Sequence, residues 1–269
     1  MKFGVFVHPS RPKVPAAKII DRIKSGGISY SRKDADIAIV VGGDGTFGYY
    51  GRTLSVPLLF VGVKQSGLIG SRARLAEIDY SYLISALRDI ENGRYSVKRK
   101  RMLSAGLNDR CVNVLTDVYV ERGEFAGCLR YETRARSSDC KTLRFTDYAI
   151  GNGVVISTSF GAGGYFSYPD RFLPASNKRI SLADFDDDRI GICHIIPIYL
   201  VRKGRYKARE THNFRHTVPA NSQIQVKLLR DARARLYGTT LQAKGVPVRL
   251  GDIVKVTSSK MFAKIIKLN

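Results

Sequence analysis

Three glycines surround one aspartate where an apolar run ends, in IVVGGDGTFGYY (residues 39–50). Glycine permits backbone conformations that let N–H groups approach an anion closely, so Gly42, Gly43 and Gly45 predict a phosphate-binding turn. A helix that begins at this turn adds the partial positive charge of its N-terminus. Asp44 needs a separate explanation, because a carboxylate repels phosphates unless it has a task.

Two tasks would explain Asp44, and both imply phosphoryl transfer. The carboxylate could help hold a magnesium ion that bridges the phosphates, or it could accept the proton of an attacking hydroxyl. The alternative is structural, with the aspartate capping the following helix. The spacing alone does not separate these interpretations. It does exclude two other phosphate motifs, since the turn has neither the Gly-Lys-Ser/Thr ending of a P-loop nor the GxGxxG dinucleotide pattern.

The elements around the turn indicate an α/β fold. A continuous apolar run at Ala35–Val41 predicts a strand buried on both faces, directly before the turn. Similar runs predict strands at Lys2–His8 and Pro57–Val63, and helical spacing of apolar residues predicts helices at Ala16–Lys24 and Tyr80–Ile90. Alternating strands and helices are typical of a parallel sheet, whose carboxyl edge is where such folds bind ligands.

The pattern changes near residue 95. From there on, short segments that alternate apolar and polar residues predict antiparallel strands, as in SQIQVKLL and DIVKVTSSKMFAKIIKL. We therefore expect two domains: a Rossmann-like α/β nucleotide-binding domain over residues 1–95, and an all-β antiparallel sandwich over residues 96–251.

The chain is strongly basic, with 45 Lys and Arg against 23 Asp and Glu and a formal net charge of +22. Residues 1–95 hold 14 of these cations and 8 of the acids, so most of the excess belongs to the second part. A field of this sign attracts anions of every kind, nucleotides included. Because the surplus is dispersed rather than gathered in a tail, we expect a solvated basic surface and small nucleotide partners rather than nucleic acid.

Cysteine spacing and hydropathy indicate the cellular compartment in which the protein is expected. The four cysteines form no CxxC pair, so neither a zinc motif nor a redox motif is predicted. No apolar stretch approaches the ~20 residues that cross a bilayer, and the first residues do not have the pattern of a signal peptide. We expect a cytoplasmic protein with free thiols, no membrane partner and no metal bound by protein side chains alone.

Beyond GGDGT (residues 42–46), several stretches occur in the order found in one protein family. They are PLLFVGVKQSGLIG, IENGRYSVKRKRMLSAGL, VLTDVYV and GNGVVISTSFGAGGY, within residues 57–165. On these motifs the chain resembles the NAD kinases, relatives of the diacylglycerol-type lipid kinases and the phosphofructokinases, as a divergent member. The resemblance covers nearly the whole chain. It implies the same two domains, with the last strand, about residues 252–269, returning to the first.

The resemblance also implies an activity, the transfer of a phosphoryl group from ATP or polyphosphate to the 2′-hydroxyl of NAD. It implies ATP with Mg²⁺ or another divalent cation, NAD as the acceptor substrate, and a homo-oligomer (dimer or tetramer). Asp44 matches the family's catalytic aspartate. The positions implied to bind the nucleotides are Gly42, Gly43, Gly45, Thr46, Lys64, Thr116, Asp117, Asn152, Thr158, Phe160, Gly161, Gly163 and Tyr165.

The chain departs from the family's pattern mainly around the acceptor. Thr116 replaces an Asn, and Asn152 replaces an Asp. Further departures are Lys64, Gly70, Phe160, Gly163, Gly164 and YGTT (residues 237–240). They leave two alternatives open. One is a related kinase whose hydroxyl acceptor is a lipid or a nucleoside, and the other is a non-catalytic binder of nucleotides or nucleic acid.

Overall fold

The computed structural model describes residues 1–63, 73–108, 110–124, 126–138, 144–171, 185–204, 207–239 and 244–269. The chain divides into two compact units. The first comprises Met1–Lys100 and Phe262–Asn269, and the second comprises Arg101–Met261.

In its described residues, the first unit contains a parallel sheet and three α-helices. Its elements are β1 (Phe3–Val7), α1 (Ala16–Ser25), β2 (Ile37–Gly42), α2 (Asp44–Thr53), β3 (Leu58–Gly62), β4 (Ile78–Asp79) and α3 (Leu83–Glu91). Strands β1, β2 and β3 pair in parallel in that order, and β4 pairs in parallel with β3. Every residue of β2 and β3 is buried, as expected for strands covered on both faces.

Helices α1 and α3 each bury one apolar side. Ile19 and Ile23 are buried on α1, and Leu83, Leu87 and Ile90 are buried on α3. These side chains share one hydrophobic core with the buried residues of β1, β2 and β3. The helical periodicity in the sequence therefore marks the faces that cover the sheet.

Strand β5 (Tyr95–Leu107) leads from the first unit into the second, and β18 (Val254–Leu268) leads back. Between them lie β6 (Arg110–Val114), β7 (Asp117–Arg122), β8 (Leu129–Ser137), β9 (Arg144–Gly151), β10 (Gly153–Ser157), β11 (Arg189–Ile195), β12 (Tyr199–Lys203), β13 (Ala208–Glu210), β14 (Arg215–Pro219), β15 (Ser222–Leu228), β16 (Ala234–Tyr237) and β17 (Val246–Val248). A short 3₁₀ helix occupies Tyr165–Arg171.

The second unit is built from two antiparallel sheets. One has the strand order β18-β15-β8-β9-β12-β13, and the other has the order β14-β11-β10-β7-β16-β17. Inward side chains of both sheets form one hydrophobic core. The prediction of an α/β part followed by an antiparallel β part is confirmed.

The structure also bears on the membrane spans and the cysteines considered in the sequence analysis. Within the described residues, no helix has the length and apolar character that a membrane span requires. Cys111, Cys128 and Cys193 are free thiols, whereas Cys140 lies outside the described residues.

A buried polar network connects the two sheets of the second unit. The carboxylate of Asp147 on β9 accepts hydrogen bonds from Nε and Nη2 of Arg202 at 2.7 and 2.8 Å, and it lies 3.0 Å from Nε2 of His194. Nδ1 of His194 lies 2.9 Å from the hydroxyl of Tyr131, and Arg202 also donates to Nδ1 of His216 at 3.0 Å. Because these groups lie in the core, their charges depend on one another for stabilisation.

Burial sets the pKa values of this network. Burial, with the Arg202 guanidinium nearby, lowers the pKa of His216 to about 3. Burial alone would raise the pKa of Asp147, but the hydrogen bonds from Arg202 and His194 prevail and hold it at about 2. The folded protein therefore keeps His216 neutral and Asp147 ionised down to an acidity at which the unfolded chain protonates both.

We predict that the second unit loses stability as the pH falls below 6.5. His216 takes up a proton near pH 6.5 in the unfolded chain but only near pH 3 in the folded chain. Between these two values, each unit by which the pH falls therefore lowers the free energy of unfolding. The free energy of unfolding should fall by roughly 3 kcal/mol between pH 7 and pH 4 from this group. Denaturant titrations at several pH values measure it.

A matched pair of variants isolates this effect. His216→Gln removes the titrating ring but retains a side-chain oxygen that can accept from Arg202, so the pH dependence should flatten. His212→Gln removes an exposed histidine of the same unit and should leave the profile unchanged. Equal profiles for the two variants would contradict the assignment.

Candidate functional site

The glycine turn lies at the carboxyl end of β2, where the chain enters α2. Gly43 is the N-cap and Asp44 is the first helical residue, so the helix begins directly at the turn. The backbone N–H groups of Thr46 and Phe47 donate to the carbonyl of Gly43 at 2.9 and 3.1 Å. Those of Asp44 and Gly45 have no acceptor within the described residues, which is the usual condition at the start of a helix and suits an anion.

The glycines of the turn serve different purposes. A Cβ on Gly42 would lie 3.0 Å from Oγ1 of Thr46, so the close approach of strand and helix favours glycine there. A Cβ on Gly45 would meet nothing within 4 Å, and the residue is exposed. Close packing therefore explains why Gly42 is a glycine. It does not explain Gly45, which has open space above it at the start of the helix.

The Asp44 carboxylate is held from outside its own helix. Its Oδ1 accepts a hydrogen bond from the backbone N–H of Leu75 at 3.0 Å. Its Oδ2 makes no hydrogen bond in the part of the chain that the structure describes, and the side chain is half-buried. The bond to Leu75 argues against a simple capping role, because a cap would accept from the first turn of the helix itself.

Aromatic contacts fix α2 against the sheet. The Phe47 ring stacks on Phe60 of β3 with ring centroids 4.5 Å apart and planes 4° apart. The hydroxyl of Tyr50 donates to the carbonyl of Val7 at the end of β1 at 2.9 Å. The helix start thus has contacts with the strands on both sides of β2, which limits how far Asp44 can move.

His8 follows β1 at the same edge of the sheet. Its Nδ1 accepts the backbone N–H groups of Ser10 and Arg11 at 3.2 and 3.0 Å, which leaves the ring proton on Nε2 in the neutral form. Partial burial and the Arg11 charge lower the pKa of His8. The side chain therefore organises the loop after β1 as a neutral group.

The predicted nucleotide-binding position Lys64, and Gly70 among the departures, lie outside the described residues. Lys13 donates from Nζ to the carbonyl of Val63, the residue after β3, at 3.5 Å.

In the second unit, Thr158 connects the loop after β10 to the loop before β7. Its backbone N–H donates to the carbonyl of Thr116 at 2.8 Å, and its hydroxyl donates to the carbonyl of Leu115 at 2.8 Å. The same Oγ1 accepts the backbone N–H of Gly161 at 3.1 Å. The structure therefore brings Thr116, Thr158 and Gly161, three of the predicted nucleotide-binding positions, into contact with one another.

The glycines of the loop after β10 also differ in how much room each leaves for a side chain. A Cβ on Gly161 would lie 2.5 Å from the carbonyl oxygen of Thr116, so no larger residue fits without a shift of the backbone. A Cβ on Gly163 would meet nothing within 4 Å. A Cβ on Gly164 would lie 3.7 Å from Oδ2 of Asp117, the half-buried first residue of β7. The loop thus passes directly beside the Asp117 carboxylate.

Tyr165 is anchored by a carboxylate that the sequence analysis did not consider. Its hydroxyl donates to Oε1 of Glu121 at 3.1 Å, and its ring meets Tyr119 edge-on at 5.3 Å. Burial and the nearby carboxylate raise the pKa of Tyr165, and burial raises that of Glu121. Tyr237, from the altered YGTT stretch, stacks on Tyr119 at 5.1 Å.

The structure separates Asn152 from this loop. Asn152 precedes β10 and Thr158 follows it, so a five-residue strand of about 17 Å lies between them. The backbone N–H of Asn152 donates to the carbonyl of Ile195 at 2.8 Å, and its carbonyl accepts from Arg122 at 3.1 Å. Phe160, by contrast, lies within the loop and is half-buried.

Sequence reasoning missed Leu75, Tyr119 and Glu121, and it named Tyr237 only as part of the altered YGTT stretch. The backbone N–H of Leu75 has no signature in the sequence. Tyr119 and Glu121 follow Asp117 at intervals of two, which places all three on one face of β7, so the strand's alternation could have indicated them.

Comparison with known proteins identifies relatives of one kind. The chain is 24% identical over 242 residues to an NAD kinase of Natranaerobius thermophilus, a match that covers 87% of this chain and 73% of the relative. It is 26% identical over 263 residues to an NAD kinase of Magnetococcus marinus, covering 95% and 73%. No protein-family model matches the chain.

Solved structures share the fold. An NAD kinase from Archaeoglobus fulgidus in complex with ATP is similar with a TM-score of 0.63 and 15% identity, over 100% of this chain and 94% of the other. Yeast NADH kinase complexed with NADH is similar with a TM-score of 0.63 and 13% identity, over 99% and 82%.

The two loop glycines give a matched test of the geometry. Gly161→Ala should destabilise the second unit by about 1–3 kcal/mol, because the new methyl group overlaps the Thr116 carbonyl. Gly163→Ala should have little effect, since its methyl group would enter open space. Thermal melting of both variants measures the difference. Equal melting temperatures would contradict the described loop.

Proposed function

We propose that this chain, a divergent member of the NAD kinase family, transfers the γ-phosphoryl group of ATP to the 2′-hydroxyl of the adenosine ribose of NAD, giving NADP. Polyphosphate is the second candidate donor. The observation that carries the proposal is Asp44, an oriented carboxylate at the start of a helix that follows a buried parallel strand. The NAD kinase relatives over most of the chain support it.

The chemistry assigns Asp44 the role of general base. Its carboxylate accepts the proton of the 2′-hydroxyl as that oxygen attacks the γ-phosphorus. The bond from the γ-phosphorus to the bridging oxygen breaks, and ADP leaves. The first turn of α2 attracts the phosphates, while the hydrogen bond from Leu75 orients the base. Catalysis then consists largely of positioning and electrostatic stabilisation.

Mg²⁺ fits this site as an ion held mainly by phosphates. Among the described residues, no group of three or more His, Cys, Asp or Glu side chains is placed to hold a metal. Mg²⁺ keeps several waters and is commonly bound largely through substrate phosphates, so the ion would not need Asp44, which the proposal assigns as the base. The ion would neutralise charge on the transferring group.

The acceptor side of the proposal rests on Asp117 and the loop after β10. Asp117 would accept from an adenine amine or a ribose hydroxyl. The hydroxyl of Tyr165 is already bonded to Glu121, so we assign its ring, rather than its hydroxyl, to ligand contact. The open space at Gly163 would admit part of the ligand.

We further propose a cytoplasmic homo-oligomer, dimer or tetramer, in which the segment between β11 and β12 contributes a contact. Ile196 and Ile198 are 59% and 70% exposed. Ile196 also has a φ of 43°, which is costly for a β-branched residue. Its N–H donates to the hydroxyl of Tyr168 at 3.0 Å, which helps hold this conformation and keeps the apolar side chain exposed.

The kinase proposal predicts that Asp44→Asn lowers kcat by about 10²–10⁴-fold with little change in KM, because the variant loses the base but keeps the turn. Asp34→Asn removes an exposed carboxylate of the same unit and should retain full activity. NADP formation from NAD and ATP-magnesium, followed by a coupled dehydrogenase assay, measures both.

Absence of NADP with both donors would contradict this function. A thermal-shift screen of NAD, NADP, nucleosides and lipid headgroup alcohols then identifies the acceptor. Stabilisation by NAD or NADP supports the proposed acceptor, and stabilisation by another hydroxyl compound alone replaces it.

The oligomer proposal predicts that Ile198→Asp lowers the association state seen by sedimentation velocity, because it places a charge in the apolar contact. Leu250→Asp alters a similarly exposed side chain elsewhere in the second unit and should have no effect. A monomeric unaltered protein, or equal sedimentation of the two variants, would contradict the assigned contact.

A further inference from the structure

The outer face of one sheet in the second unit gathers positive charge. We call it the basic face. It belongs to the sheet of order β18-β15-β8-β9-β12-β13. Its cations are Arg130, Arg134 and Arg136 on β8, Lys203 on β12, Lys227 on β15 and Lys255 on β18.

Strand alternation and register place these side chains on one face. On β8 the even-numbered arginines are exposed, whereas Tyr131 and Ala135 point into the core. Pairing aligns Arg134 with Gln225 on one side and Thr146 on the other. The same row continues from Gln225 to Lys255 and from Thr146 to Lys203. Paired residues share a face, so the row spans five strands, or about 19 Å.

Few acids offset this charge. Among the described residues of the basic face, the carboxylates are Glu132 and Glu210. The Glu132 side chain is only 6% exposed, and its Oε2 accepts from Nη2 of Arg134 at 3.1 Å, so this carboxylate is already paired with a cation of the face. Six cations against two acids leave a strongly positive surface.

Tyrosines lie among the cations. Tyr148 on β9 pairs with Glu132 on one side and Val201 on the other, which places it in the middle of the face, half-buried. Tyr199 on β12 pairs with Ile150 and is 46% exposed. The two rings are therefore diagonal neighbours, a separation of about 7–8 Å that aromatic side chains can share.

We propose that the basic face binds single-stranded nucleic acid, with the phosphate backbone on the arginines and lysines and bases stacked on Tyr148 and Tyr199. The arginines of β8 alone extend over about 20 Å, far more than one nucleotide needs. Sheet surfaces that combine aromatic side chains with cations bind unpaired strands, because every base offers a ring face for stacking. The bases of duplex DNA are already stacked on one another, so a duplex would not offer ring faces to the tyrosines.

This surface revises what the composition suggested. Along the sequence the surplus of Lys and Arg is dispersed, which argued against a nucleic-acid role. Strand register collects six of those residues on one face. The proposal is independent of the kinase activity, since none of the six belongs to the turn or to the loop assigned to nucleotides.

The test is fluorescence anisotropy with labelled 20-nucleotide single-stranded RNA and DNA and the full chain, from 50 to 300 mM salt. Binding should persist at physiological salt and weaken as salt rises. The double variant Arg130→Gln/Arg136→Gln should bind about tenfold more weakly and reduce the salt slope by about 1.4, the value for two single-strand phosphate contacts. Tyr148→Leu should also weaken binding about tenfold, without changing the slope.

The matched control is Arg88→Gln/Arg249→Gln, which removes two exposed arginines that lie off the basic face. It should bind as the unaltered protein does. Three results would overturn the proposal: no binding at physiological salt, equal losses in the two double variants, or tighter binding of duplex than of single strands. Equal competition by polyphosphate of the same charge, with no effect of Tyr148→Leu, would also overturn it. NADP formation, measured on the same proteins, reports separately on the proposed kinase.

Discussion

The hydrogen bond from the Leu75 N–H to Asp44 resolves a conflict in the turn. A carboxylate at a helix start is favoured by the helix, but it lies where phosphates would also be attracted. The fixed donor holds one carboxylate oxygen in place, while the space above Gly45 at the start of the helix stays open. The rest of the first unit serves this arrangement, since β1 and β3 hold α2 through Tyr50 and Phe47.

A second constraint operates in the interior of the β unit. The ionised Asp147, with Arg202 and His194, spans the two sheets and is shielded from water. Tyr168 connects this network to the loop after β10, since its hydroxyl donates to the carbonyl of His194 at 2.8 Å and its ring lies 6.0 Å from that of Tyr165. A charge network that resists distortion thus supports a loop rich in glycine, which has little stiffness of its own.

The sequence predicted those elements whose pattern of apolar residues along the chain matches the faces that are buried in the fold. Strands β2 and β3 are apolar throughout because both faces are covered, and the glycine turn follows because β2 ends there. Contacts between distant segments left no such pattern. The Leu75 N–H reaches Asp44 across 31 positions, and Tyr237 reaches Tyr119 only through the pairing of β16 with β7.

The charge of the chain illustrates the same limit and its physical origin. Composition determines the total charge, but the pairing register of the strands determines whether the cations lie together on one face. In β8 the inward positions hold the uncharged residues Tyr131, Thr133, Ala135 and Ser137, and the arginines at alternate positions all face outward. Pairing with β15 and β9 then sets Gln225 and Thr146, rather than acids, beside Arg134. A dispersed surplus in the sequence thereby becomes a concentrated field on one face, and that concentration gives a flexible anionic strand a surface to follow.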